Sequence, residues 1–269
     1  MRRLDNMTLP LLLDVLGMPA EVKPHILDYA TKREPLPPIY DRESYLYALE
    51  RIGEDEYGFK MLTEQLITCL EVYRRYVDRG IGEDVFRDTF SCFARFVRES
   101  VDRYGVLKFD RGWWTYRYLN LDIFRIGSLE YEMTTHDGVK VIQLHIPSDA
   151  DLSSDKIDIS LRDAKRFFAK YYEEYSKVQY RCESWLISPR LKELLPASSK
   201  LVGFLDRFVI DRYDPKDMGF LEWVYNVVTD DYSVDTLPED TTLRRLCKQL
   251  LKNGESIGAG YGYIADIMR

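Results

Sequence analysis

Few side chains in this sequence can do chemistry. Among 269 residues there are three histidines and four cysteines. His145 precedes Ile146 and Pro147. An unperturbed imidazole titrates near neutrality, so a histidine at a strand end can deprotonate an attacking nucleophile. The alternative is a half-buried ring bonded to a backbone carbonyl. Cys182 and Glu183 are neighbours on a second strand-like run, followed by Ser184 and Trp185. A thiol is a nucleophile only as thiolate, which needs a base beside it. Without one, Cys182 is a small core hydrophobe. Glu183 points to the opposite face from Cys182 and offers a second base, or an edge carboxylate.

The cysteines, Cys69, Cys92, Cys182 and Cys247, are far apart in the sequence, and no metal site is expected from their spacing. Gly258, Gly260 and Gly262 follow a helical pattern and lack dinucleotide-loop spacing. Close backbone packing or a turn is the expected role. The net charge is -7, which argues against a broad basic surface for nucleic acid. The apolar run Leu9 to Leu16 is too short to span a bilayer and carries Asp14, so no membrane partner is expected. No secretory apolar region follows the first methionine. With scattered cysteines this makes the cytoplasm the expected location.

The elements that must position these residues fall into two halves. Residues 1–105 carry helical periodicity only. A long helix is expected from Glu56 to Arg79, with Leu62, Leu66, Leu70, Tyr73 and Val77 on one face. Another carries Val85 to Val101. From 106 to 269 the pattern changes. Strands are expected over Leu121–Met133 and Val139–Ile146, joined at His136-Asp137-Gly138, where Asp-Gly is a strong hairpin signal. A polar loop, Pro147–Asp158, leads to a helix over Ser160–Tyr175, then a strand over Tyr180–Ile187. Short helices follow over Pro189–Leu195 and Ser199–Arg207. A final strand pair is expected over Val209–Tyr213 and Leu221–Val228, then a helix over Thr241–Lys252. The fold class is α+β: an all-helical first domain, then a mixed sheet with flanking helices.

Five segments carry a family resemblance. They are Leu16–Val22, His145-Ile146-Pro147, Cys182–Leu186, Leu237–Arg245 and Gly258–Gly262. Together they resemble a bacterial acyltransferase family with a helical N-acyltransferase N-terminal domain (1–105 here) and a GNAT-like C-terminal domain (106–269). The resemblance implies acyl-CoA as cosubstrate, no metal, and a small-molecule acyl acceptor or peptide amine as partner. It implies that the strands 141–147 and 180–187 splay apart to admit the pantetheine arm. The pyrophosphate would lie on Ile146, Pro147, Ser148 and the helix start near Ser160, since helix N-termini favour anions. Arg162, Lys165 and Arg166 would offset the aspartates of the loop. His145, Glu183 and Cys182 would be the catalytic candidates, and Ser184 and Trp185 would face the substrate. The loop 148–155 has no glycine, Glu183 stands where the family has histidine, and Phe204 stands near its tyrosine proton donor. Those departures support the alternative, a non-catalytic binding or assembly module on a GNAT-like fold.

Overall fold

A computed structural model describes residues 7–229 and 231–265. Contacts divide the chain into two compact units, Met1–Arg125 and Ile126–Arg269. The expected boundary at 105/106 and this division differ by one helix and most of one strand. That helix, Gly112–Leu119, packs on the long helix of the first unit, and its Gly112 carbonyl accepts from Gln65 Nε2 at 2.8 Å.

The first unit holds α1 Leu9–Val15, α2 Lys23–Lys32, α3 Arg42–Ile52, α4 Phe59–Arg79, α5 Glu83–Phe90, α6 Cys92–Tyr104 and α7 Gly112–Leu119. The helix expected to carry Val85 to Val101 is two, broken at Ser91. Asp41 caps α3 through Ser44 in a reciprocal box. Along α4, Leu62, Leu66, Cys69, Val72, Tyr73 and Tyr76 are buried at spacings of three and four. Burying each large apolar side chain contributes about 1.5–3 kcal/mol. Gly80 ends α4 in a left-handed conformation.

A buried ion pair ties α4 to the end of α2. Arg33 donates to both Glu64 oxygens at 2.6 and 2.7 Å, with Glu64 3% exposed. Burial, then the Glu64 carboxylate, push the nearby Tyr29 phenol up to about 12.

The second unit begins within β1 Ile123–Ile126. It continues with β2 Leu129–His136, β3 Val139–His145, α8 Ser154–Tyr171, β4 Gln179–Ser184, α9 Leu191–Leu194, α10 Lys200–Leu205, β5 Phe208–Asp214, α11 Phe220–Tyr225, α12 Thr242–Lys252 and β6 Ala259–Ile264. From β2 onward the sheet order is β2-β3-β4-β6-β5. Only β3 and β4 run parallel among these neighbours, with α8 as their crossover. Asp137 and Gly138 both take positive φ, 50° and 78°, in the two-residue turn between β2 and β3. The side chains of Tyr131, Ile142, Leu144, Tyr180 and Cys182 are all buried on one face of the sheet. Ile157, Leu161, Ala164, Phe167 and Phe168 of α8 are buried too, and Phe168 meets the rings of Tyr131 and Tyr180.

The expected strand over Leu221–Val228 is instead the helix α11. Its apolar residues Phe220, Leu221, Val224 and Tyr225 fit a helical face, and β5 pairs with β6. The glycines foreseen as close-packing residues lie at or inside β6. A Cβ on Gly260 would stand 2.1 Å from the Ile187 carbonyl oxygen, and one on Gly262 2.5 Å from that of Val209.

Arg33→Ala should cost about 3–5 kcal/mol of stability in a denaturant titration, because Glu64 is left buried and uncompensated. The double variant Arg33→Met/Glu64→Leu should recover most of that loss.

Candidate active site

The β2–β3 hairpin builds the first part of the site. Its register pairs Glu130 with His145 and Glu132 with Gln143. Residues on one face alternate, so Glu130, Glu132, Gln143 and His145 share the face opposite Tyr131 and Leu144. Glu132 is the diagonal neighbour of His145, within reach of a long side chain. Its Oε2 lies 2.7 Å from His145 Nε2. The side chains are 22% (His145) and 15% (Glu132) exposed. A carboxylate bonded to an imidazole orients the ring.

The second part is the parting of β3 from β4. Their parallel register runs through four pairs, Val141↔Gln179 to Leu144↔Cys182. On its other side, β4 stays paired with β6 through Glu183↔Tyr261 and Ser184↔Gly260. Among the described residues, the β3-facing edge of β4 has no ladder partner beyond Cys182. On β3 the next residues are His145, Ile146 and the buried Pro147, which has no N–H to offer. His145 and Glu183 follow the last pair on the same face of the sheet.

The chain then turns through Ser148 and Asp149, both exposed, to α8. Asp151 is drawn back onto its own loop by the Ser153 N–H, 3.0 Å from Oδ1, and this bond lowers its pKa. Ser153 makes no side-chain cap hydrogen bond to α8, so its hydroxyl does not compete for the first-turn amides.

Several sequence expectations are corrected. The helix begins at Ser154, which puts Ser160 in its middle. Ser160 is fully buried; its hydroxyl donates to the Ile126 carbonyl and lies 2.7 Å from Tyr131 Oη. It ties α8 to the start of the sheet and is remote from any helix terminus. Cys182 is 2% exposed on the α8 side, opposite to the face of His145, and burial raises its thiol pKa well above the ordinary value. Its place is that of a small core hydrophobe. Ser184 Oγ accepts from Leu186 N at 3.1 Å and starts the single 3-10 turn Trp185–Ile187, so β4 ends earlier than expected.

Arg162 and Lys165 line a groove of about 500 Å³ together with Arg207, Leu161, Phe208 and Ile264. Arg166 is exposed and pairs with Asp163 at 3.4 Å. Arg207 was not foreseen. It bonds Ser154 Oγ at 2.6 Å and Asp158, which anchors the first turns of α8. Phe204, as a buried ring against Phe208, has no proton to give. Glu132 was also missed, though its signal was present. A two-residue turn at 137–138 pairs His136 with Val139, and counting back from there places Glu132 diagonal to His145.

Residues 123–264 match the family model of the GNAT-like C-terminal domain, and residues 7–121 that of the N-acyltransferase N-terminal domain. The fold is similar to that of an acyltransferase mutant solved with octanoyl-CoA, with a TM-score of 0.78, 22% identity, 94% of this chain and 86% of that one covered. It is similar to an acyltransferase solved with decanoyl-CoA and teicoplanin, with a TM-score of 0.71, 20% identity, and 96% and 99% covered. No curated protein sequence matches the chain.

Two substitutions check the corrected assignments. Ser160→Ala should lower stability by about 1–3 kcal/mol, by stranding the Ile126 carbonyl and the Tyr131 hydroxyl. The affinity for CoA in calorimetry should not change. Cys182→Ala should leave turnover per folded molecule intact.

Proposed function

The chain belongs to the family of the GNAT-like C-terminal domain, and on that premise we propose that it transfers an acyl group from acyl-CoA to an amine. The observation that carries the reading is the end of the β3–β4 ladder at Leu144↔Cys182 with the His145–Glu132 pair beside it. The parted strands offer backbone groups that an extended, amide-bearing pantetheine arm can satisfy. The loop Ile146–Ser153 leads to the first turn of α8, where backbone N–H groups and the helix dipole favour a diphosphate. Arg162, Lys165 and Arg166 add positive charge along the same helix.

In this reading the acceptor amine attacks the thioester carbonyl directly. The His145–Glu132 pair takes the proton that the nitrogen sheds as the new amide bond forms. The carbonyl oxygen gains charge, is held by backbone donors at the strand edge, and re-forms the carbonyl as CoA thiolate leaves. Holding both reactants in the gap supplies proximity. Neighbouring folds bind octanoyl-CoA and decanoyl-CoA, which makes medium-chain donors the first to test. One of them was solved with the glycopeptide teicoplanin, and an amine on a peptide-like small molecule is the acceptor class we propose. Among the described residues no helix is long and apolar enough to cross a membrane.

The glycine-free loop favours the second reading, a binding module that has lost the chemistry. Decanoyl-CoA at about 100 times its dissociation constant should add roughly 2.7 kcal/mol of stability. No thermal shift and no calorimetric heat with any acyl-CoA would end the first reading. His145→Ala should lower kcat by about 10²–10⁴-fold with little change in melting temperature. A destabilised variant with full activity per folded molecule would make the histidine structural. Glu132→Gln should lower kcat in the same direction, since the imidazolium loses its carboxylate.

A further inference from the structure

A second cluster on the same face of the sheet has no part in the steps above. Glu183 is the first residue of β4 beyond its last pair with β3. Opposite it on β6 stands Tyr261. The two side chains are direct cross-strand neighbours on that face; burial, then the Glu183 carboxylate, raise the phenol's pKa, so it stays protonated at neutral pH. The Arg212 guanidinium lies 3.4 Å from the centre of the Tyr261 ring.

A backbone irregularity sets this arrangement. Along β5 the register with β6 slips between Ile210, which faces Gly262, and Arg212, which faces Tyr261. Asp211 is the extra residue of the bulge. Arg181 Nη2 donates to it at 2.6 Å. In an unbulged ladder Asp211 would face Tyr261, and a second carboxylate would stand near Glu183. Like charges across strands repel. The bulge instead places Arg212 opposite Tyr261, while Asp211 pairs with Arg181. Bulges recur where a side chain must be re-aimed.

We infer that Tyr261, with Arg212 on its ring, is a positioning residue that fixes the Glu183 carboxylate at the end of the β3–β4 ladder, where it receives the protonated acceptor amine. The inference rests on the acyltransferase reading. Glu183 binds and orients the ammonium group; one proton passes to solvent before attack, and the second goes to the His145–Glu132 pair as the amide bond forms. Tyr261 itself touches no substrate.

The test combines crystal structures with kinetics. The wild type and Tyr261→Phe are compared with decanoyl-CoA as donor and benzylamine or glucosamine as acceptor. Tyr261→Phe keeps the ring and its packing on Arg212, so its melting temperature should hold. The Glu183 carboxylate should leave its place facing β6. The KM for the amine should rise about tenfold, the loss of one hydrogen bond to a charged group. Both kcat and the decanoyl-CoA dissociation constant should hold within about twofold. Arg212→Gln should shift KM the same way by less. A Glu183 carboxylate that keeps its position in Tyr261→Phe overturns the inference, as does a fall in kcat with KM unchanged. A wild type that binds no decanoyl-CoA sinks the acyltransferase reading instead, while the position of Glu183 in the two crystals still decides the positioning role.

Discussion

The site depends on one constraint in the sheet: two half-sheets are joined by only four parallel pairs. On one side, β3 is held along its whole length by the β2 hairpin, from His136↔Val139 to Glu130↔His145. On the other, β4 is held by β6 out to Ser184. Neither strand is loose where they part. Backbone donors and acceptors without partners are costly when buried, so a gap between rigid strands is poised for an extended ligand. Pro147 prevents the ladder from simply continuing. The glycines of β6 let Ile187 and Val209 approach its backbone, and this keeps β4 in line beyond the parting. His145 and Glu183 flank the gap on one face because the parting falls between strands in fixed register.

Much of this was legible in the sequence. Asp137-Gly138 between alternating runs fixes a two-residue turn, and a two-residue turn fixes every pair of the hairpin. The position of His145 opposite Glu130 follows from it. The helical first half is legible because α4 repeats its apolar residues over about four turns, long enough for the period to be unmistakable. The glycine spacing of β6 was read correctly as close packing, yet the segment was not recognised as a strand. Its alternation is glycine with tyrosine, which lacks the β-branched signature.

The errors have local causes. Ser160 was put at a helix start because Pro147–Asp158 is mostly polar. Ser153 and Ser154 with Asp155 carry the better N-terminal signal, and burial of Ile157 shows that the helical face starts there. Leu221–Val228 is rich in strand-forming residues, but propensity gave way to the partner available: β6 already occupies the place beside β5. Neither the bulge at Asp211 nor the reach of Arg207 to Ser154 can be read from one-dimensional pattern. Both depend on which strand and which helix end lie opposite, and only the fold supplies that.

The order of the strands also sets when the protein can acquire its site during synthesis. The strand that fills the slot between β4 and β5 is β6, and about 75 residues separate Ser184 from its partner Gly260. Until residues 259–264 emerge from the ribosome, β4 and β5 each keep an exposed ladder edge, and Tyr261 has no place beside Glu183. The helical first unit has no such dependence and is free to form while the rest is still being made. The nascent second unit therefore passes through a stage with two sticky edges, one of them on the strand that carries Glu183. Removing the last strand would leave an aggregation-prone chain rather than a smaller working domain.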